Sequence, residues 1–454
     1  MRLKLASLAA CLLLFCSCSG ISLLGTESLL AAPKLNNRQR EISEALEATL
    51  NMQNIEFVYP QRGEYRSPFV FFDMNGDDLE EAVVFYSYRS DTAENIRARI
   101  LRQNYPGNWV SVKDIPSDHA EIDLVRFDKI LNQDSYCVIF GWKGQGLKSA
   151  KLEVCSFDGT TVRPEALQEY QYYLVHDFDR DGIDDIVIAG KESTARRFGL
   201  WLLHAKEGKL RQDESVLLAR DADGILGIRH GHLRDGSAAV YVDMAVSSGA
   251  NLIFATEVVQ VSGDGLRLVV GDLPDHEGIP APELVLFEST FRDDDIPSGD
   301  FDGDGVVEIP QPVDARGSEE DAEPPGDAGP VLYRFLHLEP EGFVAANVGV
   351  INRDDGYTLF FPERWRDAVT VLFDRETDEW RFYAINPDTR EPGAELLRIR
   401  HDVSRDVVDM FEDYFPLGEK GTGRFSGYIP ANLAATPLSV TATEVQGLFF
   451  LNFF

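Results

Sequence analysis

Asp177-Phe178-Asp179-Arg180-Asp181-Gly182-Ile183-Asp184-Asp185 stands directly before the apolar run Ile186-Val187-Ile188. Acidic side chains occupy positions 1, 3, 5 and 9 of this stretch, and position 6 is a glycine, which permits a sharp turn. Oxygen ligands at these positions, together with the backbone carbonyl of position 7, are the kind that Ca²⁺ prefers. The stretch therefore predicts a calcium loop that opens a β-strand.

Two related stretches follow the same pattern: Asp73-Met74-Asn75-Gly76-Asp77-Asp78-Leu79-Glu80-Glu81 and Asp300-Phe301-Asp302-Gly303-Asp304-Gly305-Val306-Val307-Glu308. We predict up to three structural Ca²⁺ ions, with the ligand sets Asp73, Asn75, Asp77, Leu79 and Glu81; Asp177, Asp179, Asp181, Ile183 and Asp185; and Asp300, Asp302, Asp304, Val306 and Glu308. The first loop is expected to bind most weakly, because it has three carboxylates and Asp78 at position 6. The alternative is a metal-free turn, since aspartate and asparagine favour turns by themselves.

The three loops belong to a longer repeat that spans residues 55–351. Degenerate counterparts of the loop start at Asp128 and His232, and a glycine-centred turn follows each of the five loops after 31–34 residues, or after 42 in the last unit. Such glycines suit β-hairpins, and here they are Gly107, Gly159, Gly208, Gly265 and Gly342. Each unit can hold four short strands, which in the third unit fall near 172–175, 185–189, 199–204 and 210–218. Repeated antiparallel units of this kind predict a mainly β fold with a β-propeller of about five four-stranded blades; a sixth blade, incomplete or closed by a strand at Ile55 to Val58, is the alternative.

The N-terminus has the order of a bacterial lipoprotein signal. Two basic residues precede an apolar run from Leu5 to Phe15, which is too short to span a bilayer, and Cys16-Ser17-Cys18 follows. We predict a signal peptide over 1–18 with Cys18 as the lipid anchor; Cys16 as the anchor and an ordinary cleaved signal are the alternatives. Residues 19–54 are predicted to form a tether and a short amphipathic helix that begins after Asn36 and docks on the first β-unit.

Two motifs carry a family resemblance. The segment Phe69-Val70-Phe71-Phe72-Asp73 through Glu81-Ala82-Val83-Val84-Phe85-Tyr86, with its two relatives, resembles the FG-GAP/VCBS class of calcium-binding propeller repeats. Together with the lipoprotein signal and Gly356-Tyr357-Thr358-Leu359, it is similar to uncharacterised cell-surface lipoproteins of Gram-positive-type bacteria. The resemblance implies a calcium-binding propeller outside the cytoplasm. The second and fourth units lack the alternating acids, so no metal is assigned at Asp128 or His232.

The repeated β-strand pattern does not continue in residues 352–454, which we predict to be a small α+β domain. Strands are expected at 356–365, 369–373 and 380–385, a helix at 402–414, and a last short helix after the capping box Thr441-Ala442-Thr443-Glu444. The segment is weakly similar to PsbP/Mog1-like sandwiches, which implies a fold and no chemistry.

The remaining cysteines, Cys137 and Cys155, flank a predicted hairpin turn. If the strands pair so that opposite residue numbers add up to 292, the two cysteines face each other and could form a disulfide in an extracytoplasmic protein. The alternative is two buried thiols, which is favoured because the pairing of the two strands is only inferred.

The charge balance limits the partners of the protein. The chain has 43 basic and 76 acidic residues and a formal net charge of −33, which argues against nucleic acids and anionic membrane surfaces as partners. No catalytic motif is found, and His230 and His232 share a strand face without a third metal ligand, so we expect no enzyme activity.

The predicted function is therefore that of a lipid-anchored, extracytoplasmic, calcium-stabilised β-propeller. It would act as a binding or scaffolding module at the bacterial cell surface, attached to the membrane by its lipid and recognising an envelope protein or glycan. The alternatives are a propeller carbohydrate-active enzyme and a purely structural envelope protein.

Overall fold

The computed structural model describes residues 36–452 except 48, 51–53, 90–95, 144–148, 193–196, 214, 219–221, 249–250, 272–284, 314–329, 340–341, 387, 390, 403–412 and 432–435. The predicted signal peptide, the anchor Cys18 and almost all of the helix predicted at 402–414 lie outside these residues. No helix in the described part of the chain is long and apolar enough to cross a membrane.

The first three sheets follow one another along the chain. Sheet 1 contains β1 (Ile55–Phe57), β2 (Phe69–Phe72), β3 (Glu81–Tyr88), β4 (Ile96–Tyr105) and β5 (Asn108–Pro116). Sheet 2 contains β6 (Glu121–Asp128), β7 (Cys137–Lys143), β8 (Ala150–Phe157) and β9 (Val162–Tyr170). Sheet 3 contains β10 (Tyr172–His176), β11 (Asp185–Glu192), β12 (Arg197–Lys206), β13 (Lys209–Gln212) and β14 (Val216–Leu217).

Three more sheets complete the described β-structure. Sheet 4 contains β15 (Ala222–His232), β16 (Ala238–Ser248), β17 (Asn251–Ser262), β18 (Gly265–Gly271) and β19 (Val285–Leu286), which pairs in parallel with β18. Sheet 5 contains β20 (Ile309–Val313), β21 (Leu332–Glu339), β22 (Gly342–Asn352), β23 (Tyr357–Phe360) and a strand from near the C-terminus. Sheet 6 contains β24 (Val369–Asp374), β25 (Glu379–Ile385), β26 (Pro392–Asp402), β27 (Phe415–Lys420) and β28 (Gly423–Tyr428). The C-terminal strand of sheet 5 is β29 (Phe449–Leu451).

Sheets 1–5 are each built around an antiparallel meander of the blade type, and the predicted mainly β, propeller fold class is confirmed. Each of the five predicted turn glycines lies where two consecutive antiparallel strands are connected, and all five have positive φ, from 69° at Gly208 to 129° at Gly342. Glycine adopts this left-handed conformation without steric cost, which explains why the repeat retains it.

Apolar side chains join neighbouring sheets in chain order. Val83 of sheet 1 and Phe140 of sheet 2 belong to one buried cluster, and a second cluster joins sheet 2 to sheet 3. A larger cluster packs sheet 3 on sheet 4, and Tyr357 of sheet 5 shares a core with Phe382 of sheet 6. Each of these clusters therefore joins one sheet to the next, as between neighbouring blades.

The predicted N-terminal helix is confirmed as α1 (Asn37–Glu47). Asn36 is its N-cap: the Asn36 Oδ1 atom accepts a hydrogen bond from Gln39 N at 2.9 Å, and Gln39 Oε1 accepts one from Asn36 N at 3.0 Å. Ile42 and Leu46 are fully buried against sheet 1, in a cluster that includes Trp109 of β5. The helix thus packs on the first sheet, as expected.

The C-terminal region extends the repeat. Strand β23 pairs with β22, and β29 pairs with β23, so that sheet 5 continues past residue 352. The division at 351/352 therefore lies inside a sheet, and the assignment of a separate domain stays a prediction. A 3₁₀ turn follows β23 at Glu363–Trp365, and the predicted last helix is observed as α2 (Ala442–Leu448), capped by Thr441. Strands β26 to β28 were not predicted.

The two cysteines are free, buried thiols. In the β7–β8 pair the Val138 residue lies opposite Cys155, so paired residue numbers add up to 293, one more than the predicted register requires. A shift of one residue turns a side chain to the other face of a strand. Cys137 accordingly packs with sheet 3 and Cys155 with sheet 1. Because the two thiols face different cores, they are not expected to form a disulfide. Burial raises the pKa of Cys137 to about 12, so a reactive thiol is not expected at that residue either.

Candidate metal centres

The three acidic loops occupy equivalent places at strand ends. The first loop connects β2 to β3, and the second acidic loop connects β10 to β11. The third precedes β20 and is closed by an antiparallel bridge between Gly299 and Glu308. Each loop therefore begins and ends on paired backbone, which fixes its span.

Backbone amides organise the carboxylates within each loop. Asp177 accepts hydrogen bonds from Asp181 N (3.0 Å, to Oδ1) and from Gly182 N (2.9 Å, to Oδ2), and Asp181 Oδ1 accepts one from Ile183 N at 2.8 Å. The same pattern recurs around Asp73 and Asp300, whose Oδ2 atoms accept from the amide of position 6 at 2.9 Å. The shared pattern shows that the three stretches form one structural motif.

Two positions in each loop have left-handed backbone. At position 6 the residues are Asp78 (φ 67°), Gly182 (φ 84°) and Gly305 (φ 86°), and at position 4 they are Gly76 (φ 74°), Arg180 (φ 63°) and Gly303 (φ 78°). The sequence pattern indicated the turn at position 6 and missed the one at position 4. Only the third loop has glycine at both positions, so it adopts the conformation with the least strain.

Adding a side chain to that loop should destabilise the protein. Gly305→Ala introduces a Cβ whose nearest neighbour would be His232 Nδ1 at 3.8 Å, an ordinary contact, so the cost comes from the left-handed backbone and should be about 1–2 kcal/mol. Gly224→Ala is the matched control, because Gly224 has no positive φ and open space around its Cβ. Urea unfolding of both variants measures the difference, and equal stability of the two would contradict this explanation.

Carboxylates converge in two of the loops. Asp177, Asp179 and Asp181 can bring one oxygen each to within 4.8 Å of one another, and Asp300, Asp302 and Asp304 can do the same. In the first loop position 3 is Asn75, and its Nδ2 atom donates to Asp77 Oδ2 at 3.1 Å. The first loop thus has one carboxylate fewer at these positions, and a second one accepts an internal hydrogen bond, so the prediction stands that this loop binds a cation most weakly.

The position-9 carboxylates are buried beneath the loops. Burial, with a contribution from the neighbouring loop carboxylates, raises the pKa of Glu81 and of Asp185 to about 7 and that of Glu308 to about 8. Hydrogen bonds from Met74 N and Phe301 N to Glu81 and Glu308, both 2.9 Å, offset part of this effect. Burial and the neighbouring carboxylates thus disfavour the charged form of each position-9 carboxylate, and a bound cation would offset this effect. The set of hard oxygen donors fits Ca²⁺, and calcium binding stays a prediction.

The five inter-strand loops form a continuous row at one end of the sheets. Tyr136 N, next to the degenerate second loop, donates to Met74 O at 2.8 Å, and Gln133 Nε2 donates to Asp181 O at 2.6 Å. His232 N donates to Gly305 O at 3.1 Å. The two loops that lack the alternating acids therefore connect the three acidic loops, which gives them a structural role.

A third histidine joins the pair identified in the sequence. The rings of His176 in β10 and His230 in β15 have centroids 4.2 Å apart. His232 lies one step further on the same strand face, with Nε2 at 3.2 Å from Arg180 Nη2. Burial lowers the pKa of His176 and of His230. The sequence analysis missed His176 because this residue belongs to a different sheet from His230. The Nε2 atom of His232 is already occupied by its contact with Arg180.

Comparisons with known proteins give no family. No protein-family model matches the chain, and no curated protein matches it. Among solved structures, the periplasmic gluconolactonase PpgL of Pseudomonas aeruginosa is 13% identical, with a TM-score of 0.28 over 74% of this chain and 86% of that one. Sqt1 from Chaetomium thermophilum is 10% identical, with a TM-score of 0.30 over 82% and 97% of the two chains. The α-L-arabinofuranosidase Arb93A from Fusarium graminearum is 8% identical, with a TM-score of 0.25 over 75% and 96%.

These neighbours correct one expectation from the sequence. The lack of a catalytic motif led us to expect no enzyme activity, whereas a lactonase and an arabinofuranosidase are among the solved structures that the chain is similar to. The absence of a known motif does not exclude chemistry, because catalytic groups are brought together by the fold and can lie far apart in the sequence. The TM-scores are too low to assign either activity to this chain.

Proposed function

We propose that this protein is a lipid-anchored, extracytoplasmic binding module of the bacterial surface, built on a β-propeller of the FG-GAP/VCBS type and stabilised by up to three Ca²⁺ ions. The ions would be held by the three acidic loops. The observation that carries the proposal is the repeated loop geometry, in which converging carboxylates lie above a buried position-9 carboxylate.

The row of loops explains why the ions would matter for binding. Each loop contacts the loop of the next sheet, so a cation in one loop also fixes the position of its neighbours. Bound Ca²⁺ would hold this end of the propeller rigid without taking part in recognition. A rigid surface loses little conformational entropy when a partner binds.

The formal net charge of −33 limits the chemical classes of partner that the protein can bind. A nucleic acid or another highly acidic polymer would be repelled, whereas an envelope protein or a neutral glycan would not. A purely structural envelope role remains the second candidate, since the same calcium-stabilised fold could serve it.

Retention of envelope components on the immobilised protein tests the proposal. Solubilised envelope proteins and isolated cell-wall polysaccharide are applied once in about 10 mM CaCl₂ and once in EGTA. This calcium concentration exceeds the dissociation constants of extracellular calcium modules, which are on the order of 10⁻⁴–10⁻³ M. We expect a defined component to be retained in calcium and released by chelation. Retention in neither condition would refute the binding role and favour a structural one, and retention unaffected by EGTA would refute the role of calcium.

A further inference from the structure

A cleft lies where sheet 5 meets sheet 6. Its volume is about 380 Å³, at the lower end of the range for ligand pockets. Three aromatic residues line it, Tyr333 from β21, Phe373 from β24 and Trp380 from β25, together with polar residues of the turn between β22 and β23. It is separate from the acidic loops, none of whose predicted ligands lines it.

The aromatic side chains form a fixed apolar surface in the cleft. Phe373 and Trp380 are directly opposite each other in the β24–β25 pair, so their side chains emerge on the same face. Tyr357, which is buried in the core, contacts the Trp380 ring edge-on at a centroid distance of 5.9 Å. Phe373 is 42% exposed, although most large apolar side chains of the described chain are buried. The exposed Phe373 ring, next to the Trp380 ring that Tyr357 contacts, is therefore available to a ligand.

Hydrogen-bonding groups surround that apolar surface. The Asp355 carboxylate is held in place, because Oδ2 accepts from Asn352 Nδ2 at 2.8 Å and Oδ1 lies 2.6 Å from His401 Nδ1. The exposed carboxylates of Asp354 and Asp378 have no hydrogen-bond or ion-pair partner within the described part of the chain. They are therefore free to accept hydrogen bonds from a ligand.

The charge and size of the cleft narrow the class of ligand. Among the described residues that line it, three carry carboxylates and Arg353 carries a guanidinium, so an anionic ligand is disfavoured. A small cation needs a cage of aromatic faces around one point, whereas 380 Å³ is much more room than one ammonium group fills. A sugar ring has one apolar C–H face and several hydroxyl donors at its edge, which match an aromatic surface bordered by acceptors.

We infer that the cleft lined by Phe373, Trp380, Asp354 and Asp378 binds a neutral saccharide of one or two pyranose rings. The inference deepens the proposed binding function, on which it rests, by choosing a glycan over an envelope protein. The aromatic rings would stack on the apolar sugar face, and the carboxylates would accept hydrogen bonds from its hydroxyl groups.

Calorimetric titration with a panel of neutral disaccharides tests the inference, with N,N′-diacetylchitobiose, cellobiose, maltose and mannobiose as the probes and choline as the cationic competitor. Phe373→Ala should weaken the binding of the best disaccharide about tenfold, as expected for the loss of one aromatic contact. Leu372→Ala is the matched control: Leu372 precedes Phe373, is 45% exposed and points to the other face of β24, outside the cleft. Its affinity should equal that of the parent.

A second variant protects the test against misfolding. Asp354→Ala alters an exposed side chain without a partner in the described structure, and it should also weaken disaccharide binding. The inference is overturned if no disaccharide binds the parent at millimolar concentration, if choline binds instead, or if Phe373→Ala and Asp354→Ala both bind like the control. If the parent nevertheless retains envelope proteins in a calcium-dependent manner, the proposed function remains intact and recognition occurs outside the cleft.

Discussion

Asp304→Asn should destabilise the protein in calcium and leave it at least as stable as the parent when calcium is chelated. The asparagine side chain keeps an oxygen that can accept the hydrogen bond now given by Val306 N to Asp304 Oδ1, 2.7 Å long. The substitution therefore preserves the turn and removes one charged ligand. Without a cation, it also removes one of the carboxylates that raise the pKa of Glu308.

The expected change in the free energy of unfolding follows from mass action. At about 10 mM Ca²⁺ and a dissociation constant on the order of 10⁻⁴–10⁻³ M, one occupied loop stabilises the folded state by about 1.4–2.7 kcal/mol. The variant should lose most of this stabilisation, and the parent should lose it at every occupied loop when EGTA is added.

Chemical unfolding in calcium and in EGTA measures both effects. Glu64→Gln is the control, because Glu64 is exposed, lies outside the loops and carries the same charge as Asp304. Asp181→Asn should behave like Asp304→Asn, and Asp77→Asn should show the smallest effect. A variant that loses equal stability in both solutions would show that Asp304 acts only in the turn. An Asp77→Ala protein that binds as many ions as the parent would contradict calcium binding in the first loop.

Arg292→Ala should destabilise the protein through an uncompensated charge in sheet 4. The carboxylate of Asp243 is 2% exposed and lies 3.0 Å from Nη2 of Arg292, whose side chain is 1% exposed. Thr256 Oγ1 also donates to Asp243, at 2.7 Å, and Arg292 donates to the Thr256 hydroxyl at 3.0 Å. Breaking such a buried pair from one side costs about 3–5 kcal/mol, and we expect about 3 because Arg229 still contacts the carboxylate.

Arg229→Ala provides a matched comparison at the same carboxylate. Arg229 Nη1 lies 3.0 Å from Asp243 Oδ2, the same distance as in the Arg292 pair, but the Arg229 side chain is 39% exposed. Water screens this pair, so its loss should cost at most about 1 kcal/mol. Urea unfolding of the two variants separates the effect of burial from that of distance. Equal losses would show that burial does not set the cost here.

Local motifs were predictable from the sequence because their determinants lie within a few residues. The acidic loops are held by hydrogen bonds between residues two to five apart, as from Gly182 N to Asp177. The hairpin glycines needed only their own positive φ, and the caps at Asn36 and Thr441 bond to the residue three positions on. The spacing between these local signals then predicted the repeated sheets.

Only the tertiary structure decided which distant residues meet. The sequence could not place Arg292 beside Asp243, 49 residues away, or His176 beside His230 in another sheet. The register of Cys137 and Cys155 shifted by one residue, which sent them to different cores. The cleft of Phe373 and Trp380 exists because sheet 6 packs on sheet 5, and the strands β26 to β28 that complete sheet 6 carry no repeat signal. Contacts of this kind depend on how whole sheets pack, and sheet packing is set by the combined burial of many side chains rather than by any short pattern.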